Sequence, residues 1–148
     1  MVDLTTQQVK RDFMIRPYIP SDLSEIISLI GRSDSTDRTE LTWSKNHMTG
    51  ILGFEGKKLI GAIPFEPRNF VLGNGEYSKV LWVSAAHVDS EYRSMGLGGK
   101  MDKVARENFY PDYEAIFVYR GDENSLAYKW YSRLGYYDIL RILSFKID

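Results

Sequence analysis

Between Val80 and Tyr119 the sequence reads strand, helix, strand, and this unit restricts the fold more than any other part of the chain. The apolar runs "VLWVSAAHV" and "EAIFVY" flank a helical pattern over Leu97–Phe109, where Met101, Val104 and Ala105 share one face and Pro111 closes the element. Two strands joined through a helix lie parallel, and the crossover is right-handed. Upstream the signals are antiparallel. "ILGFE" and "KLIGAIPF" are separated by Gly56-Lys57, a hairpin spacing, and Asn74-Gly75 suits a type I′ turn leading into the Val80 strand. Pro64 and Pro67 place the end of the second strand at an edge or a bulge. A mixed α/β sheet, largely antiparallel with one parallel pair and helices on both faces, satisfies both demands.

The flanks fill in the remaining elements. "FMIRPYI" is a short strand, followed by a helix over "PSDLSEIISLIG". Ser21 is positioned to cap that helix, Leu23, Ile26, Ile27 and Ile30 form its buried face, and Gly31 stops it. Ser33–Thr49 reads as a second helix or helical loop. "NSLAYKWYSRLG" is a helix capped by Asn124, with Ala127, Trp130, Tyr131 and Leu134 inward and Gly135 at its end; "YYDILRILSFKI" follows as a strand.

Composition removes whole classes of chemistry. The 148 residues contain no cysteine, so disulfides, thiolate metal sites and a cysteine nucleophile are excluded. With only His47 and His87 and no HExxH, no metal is expected. Nineteen basic against twenty acidic residues, with no basic cluster, speak against nucleic acid. No apolar run reaches the roughly 18 residues of a membrane span, and "MVDLTTQQVKRDF" has no apolar leader core. No membrane partner and a cytoplasmic location are therefore expected.

The glycines of "YRSMGLGGKMD" need a reason. A P-loop would need glycine at Ser94 and a hydroxyl at Met101, and a dinucleotide fingerprint would need glycine or alanine at Met101. The pattern [Q/R]xxGx[G/A] does fit, as Arg93-Ser94-Met95-Gly96-Leu97-Gly98, between a strand ending at Val88 and a helix beginning near Leu97. Backbone N–H groups at a helix start form an anion site, and glycines admit a phosphate to them. Asn124, Ala127, Tyr131, Gly135 and Tyr136 match a second pattern, NxxAxxxYxxxG[F/Y].

With both motifs in this order, the chain from Phe13 to about Ile147 resembles the GNAT acetyltransferase superfamily. The resemblance implies a splayed parallel pair and acetyl-CoA as co-substrate. Arg93, Ser94, Met95, Gly96, Leu97, Gly98 and Gly99 would hold its pyrophosphate, with Asn124 and Tyr131 also at the cofactor. The backbone of Ala86, His87 and Val88 would face the thioester, and Tyr131 would protonate the departing thiolate. An amine, on a small molecule or a protein, would attack directly, with Glu66 and His87 as candidates to take its proton. Alternation places His87 on the face opposite Trp82 and Val88. Thr36–Met48, with Trp43, and Glu66–Phe70 are the expected acceptor walls. A non-catalytic acyl-CoA-binding or regulatory module is the alternative reading. One domain over 1–148 is expected, with a polar tail at 1–12 and a homodimer among the assemblies open to it. Only 13 residues follow Gly135, where relatives carry two strands, so the chain also reads as the front part of a longer protein.

Overall fold

The computed structural model describes residues 11–33, 43, 48–83, 86–118 and 123–138. The chain divides into two compact units, Met1–Val118 and Tyr119–Asp148. Most of the Ser33–Thr49 segment, and the final strand beyond Asp138, lie outside the described residues.

The first unit holds a six-stranded sheet. Its strands are β1 (Met14–Pro17), β2 (Thr49–Glu55), β3 (Lys58–Val71), β4 (Tyr77–Val83), β5 (His87–Val88) and β6 (Ala115–Val118). The order is β1-β2-β3-β4-β6, with β5 paired to β3. All neighbours are antiparallel except β4 and β6, which run parallel in register from Val80↔Ala115 to Val83↔Val118. The expected mixed sheet is present. The β3–β4 turn is not type I′, because the left-handed residue is Gly75 (φ +82°) and not also Asn74. Gly75 N–H donates to the Leu72 carbonyl and Leu72 N–H to that of Glu76, which closes a three-residue loop.

β3 continues through both prolines, and the expected edge or bulge is present. Pro64 lies opposite a one-residue offset in the neighbouring chain, and from Glu66 to Val71 the strand pairs with β4 alone among the described residues. Backbone bonding explains why this is tolerated. Asp89 N–H donates to the Ile60 carbonyl, so the even-numbered β3 residues bond toward β4 and β5, and the odd ones toward β2. The missing N–H of Pro64 therefore faces the gap between the Phe65↔Val83 and Ala62↔His87 pairs. That of Pro67 points past the last β2 partner, Thr49↔Phe65.

Helix α1 (Leu23–Arg32) packs on one face of the sheet. Its buried residues are Ile26, Leu29 and Ile30, which meet Leu52, Phe54, Leu59, Ala62 and Trp43. Ile27 is exposed, so the buried stripe is rotated toward Leu29 relative to the expected one. Asp22, rather than Ser21, fixes the helix entry: its carboxylate accepts from the Ile19 N–H at 2.9 Å and from both Arg16 terminal nitrogens at 2.8 and 2.7 Å. A two-pronged guanidinium bond outcompetes a hydroxyl cap. Gly31 lies inside the helix, which ends at Ser33, whose N–H bonds back to Ile30.

Helix α2 (Leu97–Asn108) covers the opposite face and buries Leu97, Met101 and Ala105. The paired residues Gly53 and Gly61 let it approach. A Cβ added at Gly61 would lie 2.9 Å from a Leu97 methyl and 3.0 Å from the Met101 sulfur. At Gly50 the obstacle is backbone, the Ile63 carbonyl at 2.4 Å. Side-chain ends can rotate away and a ladder carbonyl cannot. Gly50→Ala is therefore expected to cost about 3 kcal/mol in chemical denaturation, and Gly61→Ala about 1 kcal/mol. Equal costs would show that the sheet yields as easily as the side chains.

Candidate active site

Two features meet at the carboxyl ends of the parallel strands in the first unit. One is a register slip. Phe65 pairs with Val83 and Ala62 with His87, so three steps along β3 match four along the neighbouring chain. Among the described residues, the β4–β6 ladder ends at Val83 and Val118, and His87–Val88 pair with β3 alone. Because Asp89 bonds to Ile60, the intervening Val88 directs its N–H and C=O away from β3, toward the side on which β6 pairs with β4. An extended ligand can pair there as a strand would.

The slip also moves His87. Cross-strand partners share a face, so His87 shares that of Ala62, and by alternation along β3 that of Glu66 and its partner Trp82. Uninterrupted alternation from Trp82 would have put it on the other face. His87 is 3% exposed, and its Nδ1 lies 3.1 Å from Ser33 Oγ at the end of α1. Glu66 is buried on the same face, roughly 13 Å away along β3 at the usual rise per residue, and pairs with Arg68 at 2.7 Å. Arg68 lies over the Trp82 ring, which stacks on Phe117, itself stacked on Phe70. Trp43, expected in an acceptor wall, is buried in the α1 core against Tyr18; the rest of that wall, apart from Met48, lies outside the described residues.

The second feature is the glycine loop. Ser94 (φ +63°) and Gly96 (φ +82°) are both left-handed and curl the chain into the start of α2. No side chain caps that helix at Gly96, so the first-turn N–H groups of Leu97, Gly98 and Gly99 have no acceptor within the helix. The glycines have different reasons. Gly96 is needed for its backbone angle. At Gly99, a Cβ would meet nothing within 4 Å among the described residues, so neither packing nor a turn accounts for it. The guanidinium of Arg93 donates to the Ser33 carbonyl, and Met95 is exposed.

Asp89 anchors the loop, and sequence reading passed over it. It is 2% exposed and accepts from Arg32 Nε at 2.9 Å and the Glu91 N–H at 3.1 Å, with Lys58 Nζ at 3.4 Å. Arg32 also donates to the Leu59 carbonyl at 2.8 Å. The one available signal was a lone aspartate directly after an apolar strand and before the glycines. An open depression of about 350 Å³, lined by Arg32, Lys58, Asp89, Ser90 and Glu91, lies over this cluster. Its charges satisfy one another and no motif residue lines it, so the ligand site is assigned to the loop instead.

The second unit contains α3 (Leu126–Arg133). Its N-cap is Ser125, whose hydroxyl accepts from the Tyr128 N–H at 3.0 Å, rather than Asn124. Tyr131 is buried, whereas Ala127, expected inward, is exposed. The helix ends in a Schellman motif: Tyr136 N–H bonds to the Tyr131 carbonyl and Gly135 N–H to that of Ser132, with Gly135 left-handed at φ +93°. The Tyr136 ring meets the Tyr131 ring edge-on at 5.3 Å. The Yxxx-Gly-Tyr part of the motif is thus the device that seats Tyr131.

Burial pushes the Asp89 carboxyl up, but the hydrogen bonds from Arg32, Glu91 N–H and Lys58 outweigh it and hold it below its ordinary value. A carboxyl depressed in the fold contributes stability above its unfolded pKa and loses it as pH falls through the folded value. Asp89→Asn should therefore lower stability at neutral pH by about 3 kcal/mol and flatten the acid limb of the stability–pH curve below about pH 4. Urea titrations across pH test this, and a variant with the wild-type acid limb would remove Asp89 from the anchor role.

A sequence model of the acetyltransferase (GNAT) family matches residues 17–136. No curated protein matches the chain. Among solved structures, the chain is similar to the acetyltransferase AAC(6')-Iy in complex with the bisubstrate analogue CoA-S-monomethyl-acetylneamine, at 14% identity and a TM-score of 0.71, covering 93% of this chain and 99% of that one. The aminoglycoside 6'-N-acetyltransferase AAC(6')-Ih from Acinetobacter baumannii gives 18% identity and a TM-score of 0.67 over 93% and 99%. A transcriptional regulator from Bacillus halodurans C-125 gives 14% and 0.66 over 92% and 100%. At these identities the likeness establishes the fold.

Proposed function

The chain belongs to the acetyltransferase (GNAT) family, and from that membership we propose that it transfers an acetyl group from acetyl-CoA to a primary amine of a small molecule by direct attack. Gly99 carries the reading. A glycine in a helix costs up to about 1 kcal/mol relative to alanine. Here no neighbour among the described residues demands it, which fits a backbone kept bare for a ligand. The N–H groups of Leu97, Gly98 and Gly99 would take the pyrophosphate, with the positive end of α2 behind them. The outward N–H and C=O of Val88 would pair with the pantetheine arm, and N–H groups near Ala86–Val88 would polarise the thioester carbonyl. The aminoglycoside acetyltransferases of like fold support a small-molecule amine as acceptor.

Glu66 is the proton acceptor in this reading. Its carboxylate is buried beside Trp82, one position before the parallel ladder ends. His87 holds the strand rather than moving a proton, since its ring is turned to α1. Tyr131, carried over from the motif, would return a proton to the departing thiolate.

Gly99→Ala should leave the fold intact and raise its stability by about 0.5 kcal/mol, while acetyl-CoA affinity drops at least about tenfold. Calorimetric titration and thermal melts read both quantities. Wild-type affinity in the alanine variant would remove the loop from the cofactor site. Binding of acetyl-CoA without thiol release on any amine would make the protein a binding module.

Tyr131→Phe keeps the ring that packs on Tyr136 and deletes only the proton. Turnover at saturating amine should fall about 10²-fold with little change in acetyl-CoA affinity. A variant as fast as wild type would make Tyr131 a core residue only.

A further inference from the structure

Ser33, the residue that ends α1, touches the proposed cofactor site from behind through two of its atoms. Its carbonyl accepts from Arg93 at the entry to the glycine loop. Its hydroxyl lies 3.0 Å from the Ile30 carbonyl and 3.1 Å from His87 Nδ1 on β5. Ser33 and His87 are 5% and 3% exposed, so these bonds are not shared with bulk water.

Counting protons settles their direction. A hydroxyl has one hydrogen to donate. If it were aimed at Nδ1, the Ser33 and Ile30 oxygens would face each other at 3.0 Å with no proton between them. The hydroxyl therefore donates to Ile30, the usual back-bond at a helix end, and Ser33 Oγ accepts from an Nδ1–H. A neutral imidazole bonded in this way carries its proton on Nδ1, with the lone pair on Nε2. The ring orientation, and with it the path of β5, is set by α1.

We propose that Ser33 is a positioning residue for acetyl-CoA: it locks His87 as the Nδ1–H tautomer and ties down Arg93, so that the Val88 backbone and the glycine loop keep a fixed spacing. The consequence for binding rests on the cofactor site proposed above; the tautomer does not. The cations around the clamp fit the same role. Arg93 donates to the carbonyl end of α1, where the helix dipole favours positive charge. Arg32, one residue earlier, is held by Asp89 on the same strand–loop segment. Arg32 and Ser33, the last residue of α1 and its C-cap, thus grip β5 and the loop at His87, Asp89 and Arg93.

The test combines imidazole ¹⁵N NMR of the apo protein with acetyl-CoA titration and steady-state kinetics. The wild-type spectrum should report His87 as Nδ1–H. Ser33→Ala should shift the ring toward Nε2–H and raise the acetyl-CoA Kd and KM about fivefold, with kcat at saturation within about twofold. Ser33→Thr, which keeps the hydroxyl, should restore the tautomer and most of the affinity. A wild-type Nε2–H ring overturns the proposal even if Ser33→Ala does not fold, and so does a folded Ser33→Ala variant with unchanged Kd and KM. If the wild-type protein binds no acetyl-CoA, the site reading fails, and the spectrum alone decides the Ser33–His87 lock.

Discussion

Every buried strand must hand its N–H and C=O groups to a partner, and β3 meets that demand on one side with two segments that are out of step by a residue. The slip between Val83 and His87 is the constraint on which the proposed site depends. It turns the Val88 backbone outward, and it moves His87 to the α1 face, beside Ser33. It also lets Pro64 occupy the middle of a central strand, because the donor it lacks would have pointed into the gap. A ladder in perfect step would close the edge at Val88 and reverse the face of His87.

A slipped segment two residues long cannot hold itself, and the structure compensates with charge. Asp89 is nearly inaccessible, and removing a carboxylate from water is costly unless donors replace the water. Arg32, Lys58 and the Glu91 N–H do so. Since Arg32 also reaches the Leu59 carbonyl, the pair joins α1, β3 and the loop. Backbone left-handed at Ser94 stores strain just beyond this anchor, which is tolerable because the anchor over-determines the path. Rigid support behind a bare backbone is what anion recognition by N–H groups requires, since the donors must be in place before the ligand arrives.

The glycine and tyrosine motifs were both legible in the sequence, but their parts have separate physical reasons that spacing alone does not reveal. Gly96 and Gly135 answer to backbone angle, Gly53 and Gly61 to the approach of α2, and Gly99 to nothing within the described protein. Helix caps were read less well. Ser125 caps α3 in place of Asn124, whereas at α1 no side chain caps the first turn. Asp22, one position after Ser21, gives its carboxylate to Arg16 and the Ile19 N–H and fixes the entry that way. Likewise Ile27 and Ala127 obey helical period yet face solvent. Period defines a stripe, and the neighbouring element decides which edge of it is buried.

The sequence by itself determined the element order, the parallel pair, the chemistry excluded by the missing cysteine, and the two motifs that mark the family. These follow from local periodicity, chain direction and residue type, which need no partner to be expressed. Tertiary structure alone decided which face His87 takes, that Asp89 is a buried anchor, and that Ser33 grips strand and loop from behind. Each of those depends on pairing between residues 25 to 60 positions apart. The register between such distant segments is set by hydrogen-bond saturation and packing of the whole sheet, a sum that no local stretch of sequence contains.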